Sequence, residues 1–213
     1  MNMERDAGFW NKLAEKYAKS PVADQKAYER TLERTQAHLK PGDHVAELGC
    51  GTGSSALLLA AHVERYLATD FSEQMILIAR DKQQKSEASA GLEFRCATAE
   101  VLAGEAARFD VVLGFNYLHV VHDLPATLAA IHAMLKPGGL FISKTPCLNE
   151  MNPLIRLVAL PVMQFFGKAP HVVSFSAERL NGALRDAGFN VITTEHHASK
   201  GADPRPFIIA ARV

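Results

Sequence analysis

The stretch Val45-Ala-Glu-Leu-Gly-Cys-Gly-Thr-Gly-Ser-Ser55 decides how this chain folds. A short apolar run, His44–Leu48, enters a loop with Gly49, Gly51 and Gly53 and leaves into the helix-spaced segment Ser54–Val63. Alternate glycines let the chain turn tightly and let backbone approach a ligand with no Cβ in the way. The ligand then faces a helix N-terminus, which favours an anionic group.

The same alternation continues outward from the loop. Apolar runs lie at Tyr66–Asp70, Leu92–Ala97, Val111–Phe115, Leu140–Lys144, Asn190–Thr194 and Phe207–Arg212. Segments with helical spacing lie between them at Glu73–Lys85, Pro125–Leu135 and Ala177–Ala187. Strand-helix-strand alternation predicts an α/β fold with a parallel sheet buried on both faces. Ser176 is set to cap a helix that stops at Gly188, and Leu135-Lys-Pro-Gly-Gly closes another. The expectation is one domain spanning residues 1–213. An N-terminal helical cover (Asp6–Leu39) and an insertion (Pro146–Phe175) are added to it.

Acidic residues narrow the ligand. Glu47 stands two residues before Gly49, near the tip of the strand. Beside a pyrophosphate it would be repulsive, by roughly 4 kcal/mol for charges 4 Å apart at an effective dielectric near 20. Beside an ammonium or sulfonium it attracts. The third glycine comes one position earlier than in a dinucleotide fingerprint, and the loop has no Lys or Arg, so it is not a P-loop. S-adenosylmethionine fits these constraints: it carries an amine, a carboxylate and a sulfonium but no phosphate. Asp70 follows the loop at an interval that puts a carboxylate on ribose hydroxyls, and Phe71 is placed to lie against adenine.

These residues resemble the class I S-adenosylmethionine-dependent methyltransferase family, in its small-molecule branch similar to ubiquinone and menaquinone methyltransferases. The likeness rests on five motifs in order. They are Glu47-Leu-Gly-Cys-Gly-Thr-Gly53, Asp70-Phe-Ser-Glu-Gln-Met75, Ala97-Thr-Ala-Glu-Val-Leu102, Phe109–His119 and Leu135–Ser143. The opening Phe9-Trp10-Asn-Lys-Leu-Ala-Glu-Lys-Tyr17 matches the same branch. The resemblance implies a Rossmann-like seven-stranded sheet in order 3-2-1-4-5-7-6, last strand antiparallel, with helices on both faces. It implies S-adenosyl-L-methionine as cofactor, S-adenosyl-L-homocysteine as product, and transfer to a small apolar or aromatic acceptor. The implied cofactor contacts are Tyr17, Glu47, Gly49, Cys50, Gly51, Gly53, Asp70, Phe71, Met75, Thr98, Ala99, Glu100, Phe115 and Asn116. Where the family often has Asp to accept from the adenine amine, this chain has the neutral Thr98; the N–H of Ala99 remains for adenine N1.

Methyl transfer from a sulfonium needs alignment more than proton chemistry, since the leaving thioether is neutral. His119, past the fourth strand, and His171, after the insertion, are the candidate catalytic groups. His119-Val-Val-His-Asp123 implies no metal. The insertion is apolar nearly all round, which leaves three fates: a lid over an apolar acceptor, core packing, or a dimer or membrane-surface contact. Leu154, Leu157, Met163 and Phe166 would form the lid with Trp10 and Tyr17.

Composition excludes several classes. Of 213 residues, 23 are Lys or Arg and 23 are Asp or Glu, so no basic face is implied for nucleic acid. Three spaced cysteines make neither a disulfide framework nor a zinc site. The expected location is the cytoplasm, because residues 1–20 have no signal-peptide core and no run is long enough to span a bilayer. Two further readings stay open: a cofactor-binding protein of this fold without transfer activity, and an NAD(P)-dependent oxidoreductase.

Overall fold

The computed structural model describes residues 3–87, 90–105, 108–151, 154, 162–163 and 169–213. Seven strands form one sheet: β1 (His44–Leu48), β2 (Arg65–Asp70), β3 (Leu92–Cys96), β4 (Phe109–Phe115), β5 (Leu135–Lys144), β6 (Phe189–Glu195) and β7 (Phe207–Arg212). Their order is β3-β2-β1-β4-β5-β7-β6, as the family resemblance implies. The pairs from β3 through β5 are parallel, and β7 runs antiparallel to both neighbours.

Alternation along the strands explains the layers. Ala46, Leu48, Leu67, Val112, Phe141, Ile208 and Ala210 belong to one buried cluster; Val45, Tyr66, Ala68, Val111, Leu113, Ile142 and Ile209 belong to the other. Successive side chains point to opposite faces, so a strand apolar at every position must be covered twice. The first face packs on α5 (Ala99–Ala103), α6 (Leu124–Met134) and α7 (Ala177–Asp186) through Leu102, Leu128, Ile131, Leu180 and Leu184. The second packs on α3 (Ser54–Leu59) and α4 (Glu73–Gln84) through Ala56, Leu59, Ile76 and Ala79.

Two boundaries differ from the sequence reading. The N-terminal cover is not one helical unit but α1 (Met3–Lys19) and α2 (Gln25–Gln36). Pro21 lies between them, and Asp24 caps α2 by accepting the N–H of Ala27 at 3.1 Å. The strand expected at Leu140–Lys144 begins at Leu135, which pairs with Phe109 before the register shifts and Leu140 pairs with Val111. The Pro137-Gly138-Gly139 turn is thus a bulge within β5, with Gly138 left-handed at φ 73°. Most of the lid expectation, including Leu157 and Phe166, falls outside the described residues; Leu154 and Met163 are exposed.

Gly53 is left-handed at φ 76°, and a Cβ there would lie 2.6 Å from Phe94 Cζ and 2.9 Å from Ala79 Cβ. Gly138 has a similar φ but open space around it. Gly53→Ala should therefore cost about 2–4 kcal/mol from strain plus overpacking, and Gly138→Ala about 1–2 kcal/mol from strain alone. Urea unfolding of the two variants measures the difference; equal losses would show that Phe94 yields without cost.

Candidate active site

Two cavities open at the C-terminal tips of the central strands, and Gly49 lines both. The smaller, of about 230 Å³, is lined by Asp70, Phe71, Thr98, Ala99, Glu100 and Tyr117. The larger, of about 340 Å³, is lined by Tyr17, Glu47, Cys50, Gly51, Phe115 and Asn116. The switch point between β1 and β4 creates this crevice, since connections leave the sheet there in opposite directions.

Local geometry holds the glycine loop open. Gly49 and Gly51 are left-handed, at φ 66° and 54°. A Cβ on Gly49 would sit 2.7 Å from the Tyr117 ring, whereas one on Gly51 would meet only Tyr17 Cε1 at 3.6 Å. Asp70 accepts the N–H of Gly51 at 3.0 Å and of Ser72 at 2.9 Å. Lys82 donates to the hydroxyls of Thr52 and Ser54 at 2.9 and 3.2 Å, tying the loop to α4. Asn116 is left-handed at φ 52°, and its N–H donates to the Lys144 carbonyl at 2.7 Å. Strain of this kind in a non-glycine residue persists only where surrounding contacts hold it.

Both loop acids are buried. Glu47 is 2% exposed, and Tyr66 Oη donates to its carboxylate at 2.7 Å. Burial, reinforced by the negative charge of Asp70, pushes its pKa up to about 7 against the Tyr66 hydrogen bond. Burial also raises the Asp70 carboxyl, opposed by backbone N–H donors. A ligand cation beside Glu47 would relieve this cost.

Four of the expected site residues lie outside both cavities. Met75 is buried in α4, and Gly53 serves packing against Phe94. His119 lines neither cavity; burial pushes its pKa down to about 4, and its Nδ1 has no hydrogen-bond partner among the described residues. Such an imidazole is a weak proton acceptor near neutrality. His171 also lines neither cavity and stacks on His122 with ring centres 4.5 Å apart. Trp10 meets Phe9 edge-on and lines neither cavity. His122 and Asp123 part company: His122 hydrogen-bonds Asp6 of α1, and Asp123 caps α6. Thr98 Oγ1 accepts the N–H of Val101 as the cap of α5, and Glu100 accepts from Thr127 at 3.1 Å.

Several lining residues have no signal in the motifs. Asp6 and His122 line the smaller cavity. Asp24, Tyr28 and Thr31 of the α2 region, Lys144 at the end of β5 and Arg205 before β7 line the larger. Lys144 offered one clue, as a charge closing an otherwise apolar strand.

Residues 22–194 match the model of a family described as a methyltransferase domain, and the chain belongs to that family. Among its relatives, a demethylmenaquinone methyltransferase of Symbiobacterium thermophilum is 32% identical over 156 residues, covering 70% of this chain and 60% of that protein. A ubiquinone biosynthesis O-methyltransferase of Cereibacter sphaeroides is 30% identical over 154 residues, covering 71% and 62%. The chain thus spans about three fifths of the length of these two relatives. An S-adenosylmethionine-dependent methyltransferase from Mesorhizobium loti shares the fold, with a TM-score of 0.73 and 22% identity over 88% of this chain and 99% of that one. Among the described residues, no helix is long and apolar enough to cross a membrane.

Glu47 has a testable signature. Its unfolded carboxyl titrates near 4.5 and its folded one near 7, so the folded state holds the extra proton between those values. The associated stability is full below pH 4.5 and is lost as pH rises through 7. Glu47→Gln should therefore stabilise the protein at pH 8, by on the order of 1–3 kcal/mol, and leave stability at pH 4 nearly unchanged. Chemical denaturation at both values tests this; equal effects at the two pH values would mean that the Glu47 carboxyl titrates alike in the folded and unfolded states.

Proposed function

We propose that this chain transfers a methyl group from S-adenosylmethionine to a small, apolar or aromatic acceptor by in-line displacement. The observation that carries the reading is the buried Glu47 carboxyl, opening onto a cavity beside a three-glycine loop that contains no Lys or Arg. A pyrophosphate there would lie against an acid; an ammonium neutralises it. Family membership and the two cavities meeting at Gly49 support the same reading.

The residues fit the cofactor in two parts. Asp70, with lone pairs left after its two backbone contacts, takes the ribose hydroxyls, and Phe71 and Ala99 bound the adenine space. Glu47, the glycine-loop backbone and Tyr17 hold the amino-acid end. When bound, the sulfonium supplies an electrophilic methyl with a neutral leaving group. The acceptor occupies the rest of the larger cavity, between Phe115, Asn116 and α2. Here the protein orients the acceptor and excludes water, which supplies most of the acceleration such a displacement needs. His119 and His171 are not required as bases.

Calorimetry with S-adenosylhomocysteine tests the site. Asp70→Ala should weaken binding about 10- to 150-fold, the loss of roughly 1.5–3 kcal/mol for a charged hydrogen bond. Gly51→Val should abolish binding, since its side chain would enter the cavity beside Tyr17 and its φ would be strained. Normal affinity in both variants would remove the assignment. A screen of metabolite pools with labelled methyl donor then identifies the acceptor; no labelled product would favour a binding protein without transfer activity.

The cover makes a separate prediction. Asn11 of α1 accepts from Ser72 Oγ at 2.7 Å and from the Gln74 N–H at 3.2 Å, docking α1 on the start of α4. Amides of α1 should exchange more slowly once S-adenosylhomocysteine is bound, because opening this helix would then also break ligand contacts. Hydrogen exchange that is unchanged along α1 would make it a static wall.

A further inference from the structure

The larger cavity contains a polar cluster outside the cofactor contacts proposed above. Lys144 ends β5 and is 8% exposed. Its ammonium donates to Thr31 Oγ1 at 3.1 Å and lies 3.6 Å from Asp203 Oδ2. Arg205 Nε lies 3.2 Å from the other oxygen of the same carboxylate. Asp203 is fully buried and also accepts the N–H groups of His197 and Arg205. Thus two cations share one carboxylate, and both cations line the cavity while Asp203 does not.

Asp24 also lines the cavity, and its carboxylate charge acts on both Lys144 and Arg205, while its two oxygens accept the N–H groups of Ala27 and Ser199. Glu195 is engaged by Arg34 through three short contacts and by His197 Nε2 at 3.2 Å. His197 Nδ1 meets Thr31 Oγ1 at 2.9 Å. Glu47, near the end of β1, lies on the glycine-loop side of the same cavity. An ammonium has three donors; Thr31 takes one of those of Lys144, and Asp203 lies at ion-pair distance. Burial lowers the Lys144 pKa, so its charge is costly and a further anion would offset that cost.

We infer that Lys144, with Arg205 beside it, recognises a carboxylate on the methyl acceptor. The acceptor class is then an aromatic or apolar carboxylic acid. Its ring lies among Tyr17, Tyr28 and Phe115, and its carboxylate spans the two cations. A carboxylate suits this site better than a phenol, because it arrives ionised at neutral pH and needs no base. Lys144 is a specificity residue in this scheme and does not touch the transferred methyl. The inference rests on the methyl-transfer reading above and extends it to the acceptor.

The test titrates 2-naphthoate and its neutral analogue 2-naphthamide, by calorimetry, into protein alone and into protein saturated with S-adenosylhomocysteine. Wild type should prefer naphthoate by at least about tenfold, as expected of a charge-assisted hydrogen bond. Lys144→Met should erase the preference while leaving S-adenosylhomocysteine affinity unchanged. Arg205→Gln, at a more exposed position, should reduce the preference and guards against misfolding of the first variant. No preference in wild type, or a preference retained in Lys144→Met, would overturn the inference. So would a loss of S-adenosylhomocysteine binding in a folded Lys144→Met, which would assign the ammonium to the cofactor carboxylate. A preference for naphthoate without any S-adenosylhomocysteine binding would keep the anion site and overturn the methyl-transfer reading instead.

Discussion

The carboxylate of Asp70 holds the active end of the sheet together. One oxygen accepts the Gly51 N–H and the other accepts the Ser72 N–H. The first bond fixes the glycine loop against the tip of β2. The second sets the backbone at the entry to α4, where Ser72 Oγ caps the helix and donates to Asn11 of α1. A single buried acid thereby positions a loop, a helix start and the covering helix. The same group lines the smaller cavity. Burial raises its pKa, and the backbone N–H donors oppose that by stabilising the charged form.

Much of this was legible in the sequence. Strands apolar at every position could only be two-faced, and the glycine loop after His44–Leu48 located the crevice. Glu47 and Asp70 were readable because each sits at a fixed distance from that loop. Lys144, Arg205 and Thr31 were not, because they converge from β5, the loop before β7 and α2, and no local spacing records such a meeting. Gly53 and Met75 belong to motifs yet line no cavity: the motif preserves the packing of Gly53 on Phe94 and the capping of α4 at Ser72 as well as any ligand contact. His119 misled for a related reason. It follows β4 at the level of the crevice, but its buried ring lines neither cavity, although Val120, Val121 and His122 just after it line the smaller one.

The larger cavity is polarised. Glu47 stands at the glycine loop, and the cations Lys144 and Arg205 come from the far half of the sheet. Removing a buried charge and its partner for apolar groups of the same shape is often neutral or stabilising, so retained charges of this kind favour a role in recognition or specificity. Their networks differ in how they are held. Glu47 has one donor, Tyr66, and its pKa rises to about 7, whereas Glu195, engaged first by Arg34, has its pKa pulled down to about 2. A carboxyl paired within the protein is a strut; one left underpaired beside a cavity is available to a ligand.

The break between α1 and α2 gives these two halves separate covers. α1 is anchored beside the smaller cavity, through Asn11 on α4 and Asp6 on His122. α2 is anchored to the other half, through Asp24 on Ser199, Arg34 on Glu195 and Thr31 on Lys144 and His197. The connecting residues Ser20 to Asp24 line the larger cavity. Pro21 in that connection prevents the two helices from moving as one rod. The two covers therefore rest on different anchors, although Tyr17 and Ala18 at the end of α1 also line the larger cavity. Displacing α1 breaks the Asn11 and Asp6 contacts and shifts Tyr17, while Lys144 and Arg205 keep their contacts with Thr31 and Asp203, which come from other elements.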